Sequence, residues 1–218
     1  AQPHRGRHRR RLRAARQLGG THRVASIADH PAVARRDDRD AAAISALPVE
    51  LDPLAALLAA VLAAEGVGAA AEATLQLVSP ATIAELKAVH LDGDGNPTDV
   101  LSFPIDGPDD PGSDTGSDLD TGAGEWVVGD IVVCPEVAAA QAVGHAGDLD
   151  SELSLLVVHG GLHLCGWDHA DPEQRSAMWD RERELMAALG CAPSRDPWTE
   201  SDDADAPDAG AAPMGGRR

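Results

Sequence analysis

Apolar positions between Leu51 and Gly68 recur at helical spacing. In LDPLAALLAAVLAAEGVG, Leu54, Leu57, Leu58, Val61 and Leu62 fall on one stripe. Asp52 can cap this helix, Pro53 suits its first position, and Gly66 stops it. The preceding ISALPVEL reads as a first strand. ATLQLVS (Ala73 to Ser79) alternates apolar and polar residues, as a half-buried strand does. Ser79 and Pro80 open a second helix through about Val89, with Ile83 and Leu86 inward. PTDVLSFPI (Pro97 to Ile105) and WVVGDIVVC (Trp126 to Cys134) are two further strands, rich in β-branched and apolar residues.

Three helices complete the pattern. PEVAAAQAV has Pro135 at its first position. SELSLLVVHGGLHLCG is apolar nearly all round, which marks a buried helix. DPEQRSAMWDRERELMAALG is capped by Asp171, with Pro172 next, and ends at Gly190. After the opening segment the order is helix, strand, helix, strand, strand, helix, helix, helix. A small sheet with helices packed on it is an α+β domain. No internal repeat is visible.

Composition divides the chain. Residues 1–43 are an arginine-rich arm, expected to be disordered. HRGRHRRRLRAARQ within it is followed by no apolar run, so it is not a secretory signal; a transit peptide or an RNA-contacting arm are the alternatives to a leader without a specific role. The folded domain is expected over 44–190. An acidic Gly/Ser/Pro-rich insert at 106–125 and an acidic tail at 191–218 are expected to be disordered. The net charge of -18 therefore hides a basic start and a strongly acidic remainder. Such a body repels phosphate, so a nucleic-acid-binding face must be locally basic. With one Phe and no Tyr, the core must come from Leu, Val, Ile and Trp. Trp126, Trp167 and Trp179 are accordingly read as core rather than as base-stacking platforms. Three cysteines, Cys134, Cys165 and Cys191, are an odd count without paired spacing, so no disulfide partner and a reducing compartment are expected. No apolar run approaches the ~20 residues needed to span a bilayer.

The candidate chemistry lies in HGGLHLCGWDH. His159 and His163 stand four apart on a helix, which puts both imidazoles on one face. Gly166 ends that helix and lets the chain return His169 to the same point. Three neutral imidazoles suit one Zn²⁺ and leave a fourth position open for water, the pattern of a catalytic rather than a structural site. Cys165 as a fourth ligand would close the site, but two residues past His163 it points away from that face. The spacing is that of the zincin-type peptidases, yet Gly160 stands where they carry a catalytic Glu. Amide hydrolysis needs that proton carrier; a phosphodiester depends more on charge stabilisation and positioning, and RNA supplies its own 2′-hydroxyl. Asp168 either orients a ligand imidazole or caps a turn. The remaining histidines, His145 among them, are assigned no role.

HGGLHLCGWDH resembles the signature H-G-x-L-H-L-x-G-[YW]-D-H of the YbeY-type endoribonucleases, or rRNA maturation factors. PTDVLSFP and GDIVVCPEVAAAQA resemble that family's two other sequence blocks, in the same order, and the likeness covers about residues 50–190. The resemblance implies a small mixed sheet with helices packed on it and a zincin-like metal-binding helix. It implies a zinc-dependent, single-strand-specific endoribonuclease of the cytoplasm or an organelle. Its work would be 16S rRNA 3′-end maturation and ribosome quality control, with rRNA and the small ribosomal subunit as partners. By motif match, His159, His163 and His169 would hold the zinc. One departure stands out. Many members carry an arginine shortly before PTDVLSF; here HLDGDGN carries Asp92 and Asp94, and Lys87 is the nearest cation. Arg175 or Arg181 on the last helix could substitute. The rival functions are a ribosome-assembly factor with a structural zinc and a zinc peptidase without its usual base.

Overall fold

The computed structural model describes residues 30–90, 95–105 and 126–199. Among the described residues, four strands form one sheet in the order β1-β2-β4-β3. They are β1 (Ala32–Asp37), β2 (Ala71–Leu77), β3 (Val100–Pro104) and β4 (Trp126–Val133). β1 and β4 both run parallel to β2, and β3 pairs antiparallel with β4. Six helices accompany them: α1 (Ala41–Ala46), α2 (Leu51–Ala64), α3 (Pro80–His90), α4 (Pro135–Ala142), α5 (Leu149–Leu164) and α6 (Pro172–Ala188). The fold is α+β with a small mixed sheet.

The expected first strand is misplaced. ISALPVEL forms no strand: its first three residues end a short helix, α1, whose start is capped by Asp40 accepting from Ala43 N. The first strand lies earlier, inside the span read as arm. β1 shows no apolar alternation because it is an edge strand with arginines on it, and its backbone pairing to β2 carries it. Arg39, just past its end, is almost wholly buried. Its Nε and Nη2 donate to the two carboxylate oxygens of Asp37 at 2.9 and 2.8 Å, and Nη1 donates to Leu47 O at 2.9 Å. That fork ties β1 to the chain leaving α1. The cap of α2 is also two residues earlier than expected: Glu50, not Asp52, is its N-cap residue, and Asp52 sits in the first turn.

α5 is the central helix. One side meets the sheet and another meets α2, with Leu153, Leu156, Val157 and Leu164 in the core shared with β2 and β4. Val158 and Leu162 instead join Met178, Leu185 and Met186 of α6. Two adjacent mid-helix glycines, each costing roughly 1 kcal/mol in helix propensity, are explained by close approach. A Cβ on Gly161 would lie 3.0 Å from Val61 Cγ1 and 3.1 Å from Leu58 Cδ1 of α2. On the sheet side, β4 carries a bulge opposite Glu72 and Ala73. There Gly129 adopts φ +150°, and its Cα faces the carbonyl of Phe103 so closely that no Cβ fits.

The chain after α6 is not all loose tail. Residues 191–199 return along the domain: Ser194 Oγ donates to Asp148 Oδ2 at 2.9 Å, and Arg195 N to Ala146 O at 3.1 Å. The expected arm up to residue 29, the insert 106–125 and the tail from residue 200 lie outside the described residues. Among the described residues no helix is long and apolar enough to cross a membrane, and Cys134, Cys165 and Cys191 form no disulfide.

Candidate metal centre

The histidine cluster is built by the end of α5 and the turn after it. Asp148 caps the start of this helix by accepting from Ser151 N, and Gly166, at φ +86°, closes it. The chain then doubles back through Trp167 and Asp168. His159, His163 and His169 each offer a ring nitrogen, and these atoms lie within 4.8 Å of one another. The ring centroids are 4.6, 5.0 and 5.4 Å apart.

Two of the rings are held from behind. His163 Nδ1 lies 3.0 Å from the carbonyl of Trp167, so it donates there and leaves the lone pair on Nε2. His159 Nδ1 lies 2.7 Å from Oε1 of Glu182, a carboxylate only 2 % exposed. The other oxygen of Glu182 accepts from Trp198 Nε1 at 2.6 Å. With both Nδ1 protons so committed, His159 Nε2 and His163 Nε2 face each other at 3.1 Å as two lone pairs. A cation between them removes that conflict. Burial, reinforced by the neighbouring His159 and His169, pushes the His163 pKa down to about 4, so this ring offers a lone pair at neutral pH. The donor set therefore fits a metal ion that favours imidazole, and carboxylate-backed histidine is the usual support of such a site.

The cluster opens into a cleft of about 500 Å³. It is lined by Val100, Leu101, Ser102 and Pro104 of β3, the three histidines, and Gly166, Trp167 and Asp168. None of these is a lysine or arginine. Arg181 is committed elsewhere: Nε donates to Glu65 Oε1 at 2.7 Å and Nη1 to Glu184 Oε2 at 2.6 Å. Arg175 rests over the Trp179 ring, 5.9 Å from its centroid. Lys87 Nζ reaches Asn96 O at 3.5 Å. So neither arginine offered from the sequence, nor Lys87, lines the cleft. The acidic segment at 91–94, where the family arginine is missing, lies outside the described residues.

Other sequence expectations resolve individually. Cys165 ends α5 and is not part of the cluster. Asp168 Oδ1 accepts from His169 N at 2.8 Å, so it shapes the turn and does not orient a ring. Trp167 packs against the core and donates from Nε1 to Glu65 Oε2 at 2.8 Å, while one part of it also lines the cleft. The side chain of Trp126 lies outside the described residues. His145, assigned no role, meets the fully buried Glu152 through Nδ1 at 2.9 Å.

Two features escaped the sequence reading. Glu182 was legible in principle: it interrupts the buried stripe Met178, Glu182, Leu185, Met186 at helical spacing, and a carboxylate there needs a partner. Trp198 was not, because it lies in a polar segment without periodicity.

Gly160 is fixed by its surroundings as well. A Cβ there would lie 3.0 Å from Ile131 Cδ1 and 3.0 Å from Ser102 Oγ. A peptidase Glu would start pressed against these two side chains of the sheet.

Comparison with known proteins follows the same lines. The sequence matches the family model described as endoribonuclease YbeY over residues 48–190. It is 43% identical over 152 residues to a protein called endoribonuclease YbeY from Salinispora tropica, covering 69% of this chain and 95% of that one. A Corynebacterium glutamicum protein of the same name is 46% identical over 119 residues, 54% of this chain and 58% of that one. One from Frankia casuarinae is 42% identical over 135 residues, 62% and 65% of the two chains. A solution structure from Thermotoga maritima aligns at 23% identity and a TM-score of 0.43, over 79% of this chain and 98% of that one. Since the family match runs from the approach to α2 through the end of α6, and so takes in the whole histidine cleft, the chain belongs to the endoribonuclease YbeY family.

Proposed function

We propose that this protein is a zinc-dependent, single-strand-specific endoribonuclease. In this reading His159, His163 and His169 hold one zinc ion, and the protein acts in 16S rRNA 3′-end maturation and ribosome quality control in the cytoplasm. Its partners are rRNA and the small ribosomal subunit.

The observation that carries the reading is the cleft itself: three convergent imidazoles, with Gly160 next to the first of them supplying no carboxylate base. The names of the relatives support the substrate class. A bound zinc supplies an acidified water and a centre of positive charge for a phosphoryl oxygen. The chain's own contribution is positional. Glu182 and the Trp167 carbonyl fix two rings with their Nε2 atoms toward the ion, and the low pKa of His163 keeps that nitrogen free of a proton. Val100, Leu101, Ser102 and Pro104 of β3 form one wall of the cleft, against which an extended single strand would lie.

A zinc peptidase is the weaker reading, because the packing at Gly160 opposes any side chain there. An assembly factor with a purely structural zinc is also weaker, because no fourth His, Cys, Asp or Glu among the described residues closes the cluster. The test pairs metal content with RNA cleavage. Purified protein is expected to hold about one zinc and to cut single-stranded RNA, and His163→Ala to lose both. Undiminished cutting by His163→Ala would assign the activity to a contaminant and overturn the proposal.

A further inference from the structure

The missing arginine leaves the cleft without a described cation, yet a phosphodiester held there needs hydrogen-bond donors on its non-bridging oxygens. The β3 ladder shows where one donor is. Cys134 N donates to Asp99 O, and Ile105 N to Val128 O. In an antiparallel pair the bonded positions alternate. With the register Leu101↔Val132 and Phe103↔Asp130, residues 99, 101, 103 and 105 therefore bond to β4. The N–H groups of Val100 and Ser102 then face away from β4, on the open edge of the sheet. Pro104 shares that parity but has no N–H. The Val100 N–H is already taken, donating to Asp99 Oδ1 at 2.8 Å. One outward donor remains, on Ser102.

The side chain of Ser102 stands on the same spot. Its Oγ lies where a Cβ on Gly160 would be 3.0 Å away, one residue from His159. The hydroxyl makes no hydrogen bond to another described residue, and Ser102 lines the cleft with the three histidines. Ser102, which lines the cleft with three imidazoles, thus brings two donors to one wall of it: an N–H along the sheet edge and a half-buried hydroxyl on the face toward α5.

We propose that Ser102, through its backbone N–H and its hydroxyl, is the substrate-positioning residue that holds a phosphodiester of single-stranded RNA against the histidine cluster. The proposal rests on the endoribonuclease reading. It also accounts for the poor fit of a peptide: an added strand needs donors at every second residue, and this edge offers one among the described residues.

The experiment compares wild type, Ser102→Ala, Ser102→Thr and Ser102→Cys. The first readout is binding of a fully 2′-O-methylated single-stranded RNA to metal-free protein, by fluorescence anisotropy. The second is kcat and KM of the zinc-loaded protein on unmodified RNA. Loss of one hydrogen bond to a charged group predicts binding weaker by about 10- to 150-fold in Ser102→Ala. Loss of one donor to the reacting group predicts kcat lower by about 10²-fold. Zinc content is expected to stay at the wild-type value, and Ser102→Thr, which keeps the hydroxyl, to keep most of both. Should Ser102→Ala fail to fold, Ser102→Cys is of similar size with a poor donor and is expected to show the same losses. If wild type cuts RNA while the Ala or Cys variant binds and cuts equally well, the positioning role is overturned and the nuclease reading stands. If wild type neither binds nor cuts RNA, or takes up an unstructured peptide in its place, both fall together.

Discussion

His159 Nδ1 and Glu182 Oε1 lie 2.7 Å apart, so α6, which carries no histidine, sets the orientation of a histidine on α5. Glu182→Ala removes the acceptor and leaves the His159 N–H facing a small cavity. Zinc affinity is expected to fall about 10- to 100-fold. Competition against a chelating dye measures it, and an unchanged affinity in a folded variant would falsify the positioning of His159 by Glu182.

Trp198 adds a second hydrogen bond to the same carboxylate, at 2.6 Å. Trp198→Phe keeps much of the ring but not the donor. The expected result is a loss of about 10-fold in zinc affinity, what one hydrogen bond to a charged group contributes at the lower end. The double variant with Glu182→Ala is expected to be no weaker than Glu182→Ala alone, since both act through one carboxylate. Additive losses would show that Trp198 acts by another route.

Gly160→Glu restores the peptidase pattern on paper. Its side chain would start against Ile131 and Ser102, at 3.0 Å from each. Overpacking of this kind costs about 1–3 kcal/mol, and the carboxylate adds desolvation. The variant is expected to melt earlier and to gain no activity on an unstructured protein substrate. A stable, proteolytically active Gly160→Glu protein would contradict the packing described here.

The half-exposed His145 and the buried Glu152 give stability a pH window. The hydrogen bond that His145 donates to Glu152 is the main influence raising the His145 pKa, against some desolvation. Burial works to raise the Glu152 pKa, but bonds from His145, Gln141 and Ala146 N outweigh it and hold it below 4.5. The His145 contribution is full below its unfolded value near 6.5 and is lost as pH rises through the raised folded value. The Glu152 contribution is present above 4.5 and is lost as pH falls through the lowered folded value. The pair's effect is thus greatest between about 4.5 and 6.5. His145→Ala is expected to flatten the alkaline side of that window in urea melts taken across pH. Glu152→Ala is expected to destabilise by about 3 kcal/mol, because it strips partners from a buried network. Identical pH profiles for wild type and His145→Ala would remove this account.

The fold was legible where one element sees both core and solvent. The stripe of α2, the alternation of β2 and the cap and proline that open α6 need only local chemistry, and their expected and observed spans agree closely. β1 was hidden because an edge strand with arginines carries no such contrast. The site divides in the same way. His159 and His163 are brought together by helix geometry alone, and His169 by a glycine turn, so spacing revealed them. Glu182 and Trp198 reach His159 through the packing of α6 and of the following segment on α5, which no local pattern encodes. Ser102 alternates with apolar neighbours like any strand residue, and its place beside Gly160 follows only from the approach of β3 to α5.

The hydrogen-bond pattern of β3 bears on the life of the protein in a crowded solution. An exposed sheet edge with a full row of donors invites the edge of another copy, and the pair can seed aggregation. Here the Asp99 side chain caps one position and Pro104 blanks another, so a neighbouring chain finds a single N–H to grasp. The strand can stay bare beside the cleft, accessible to a substrate, without becoming a template for its own kind.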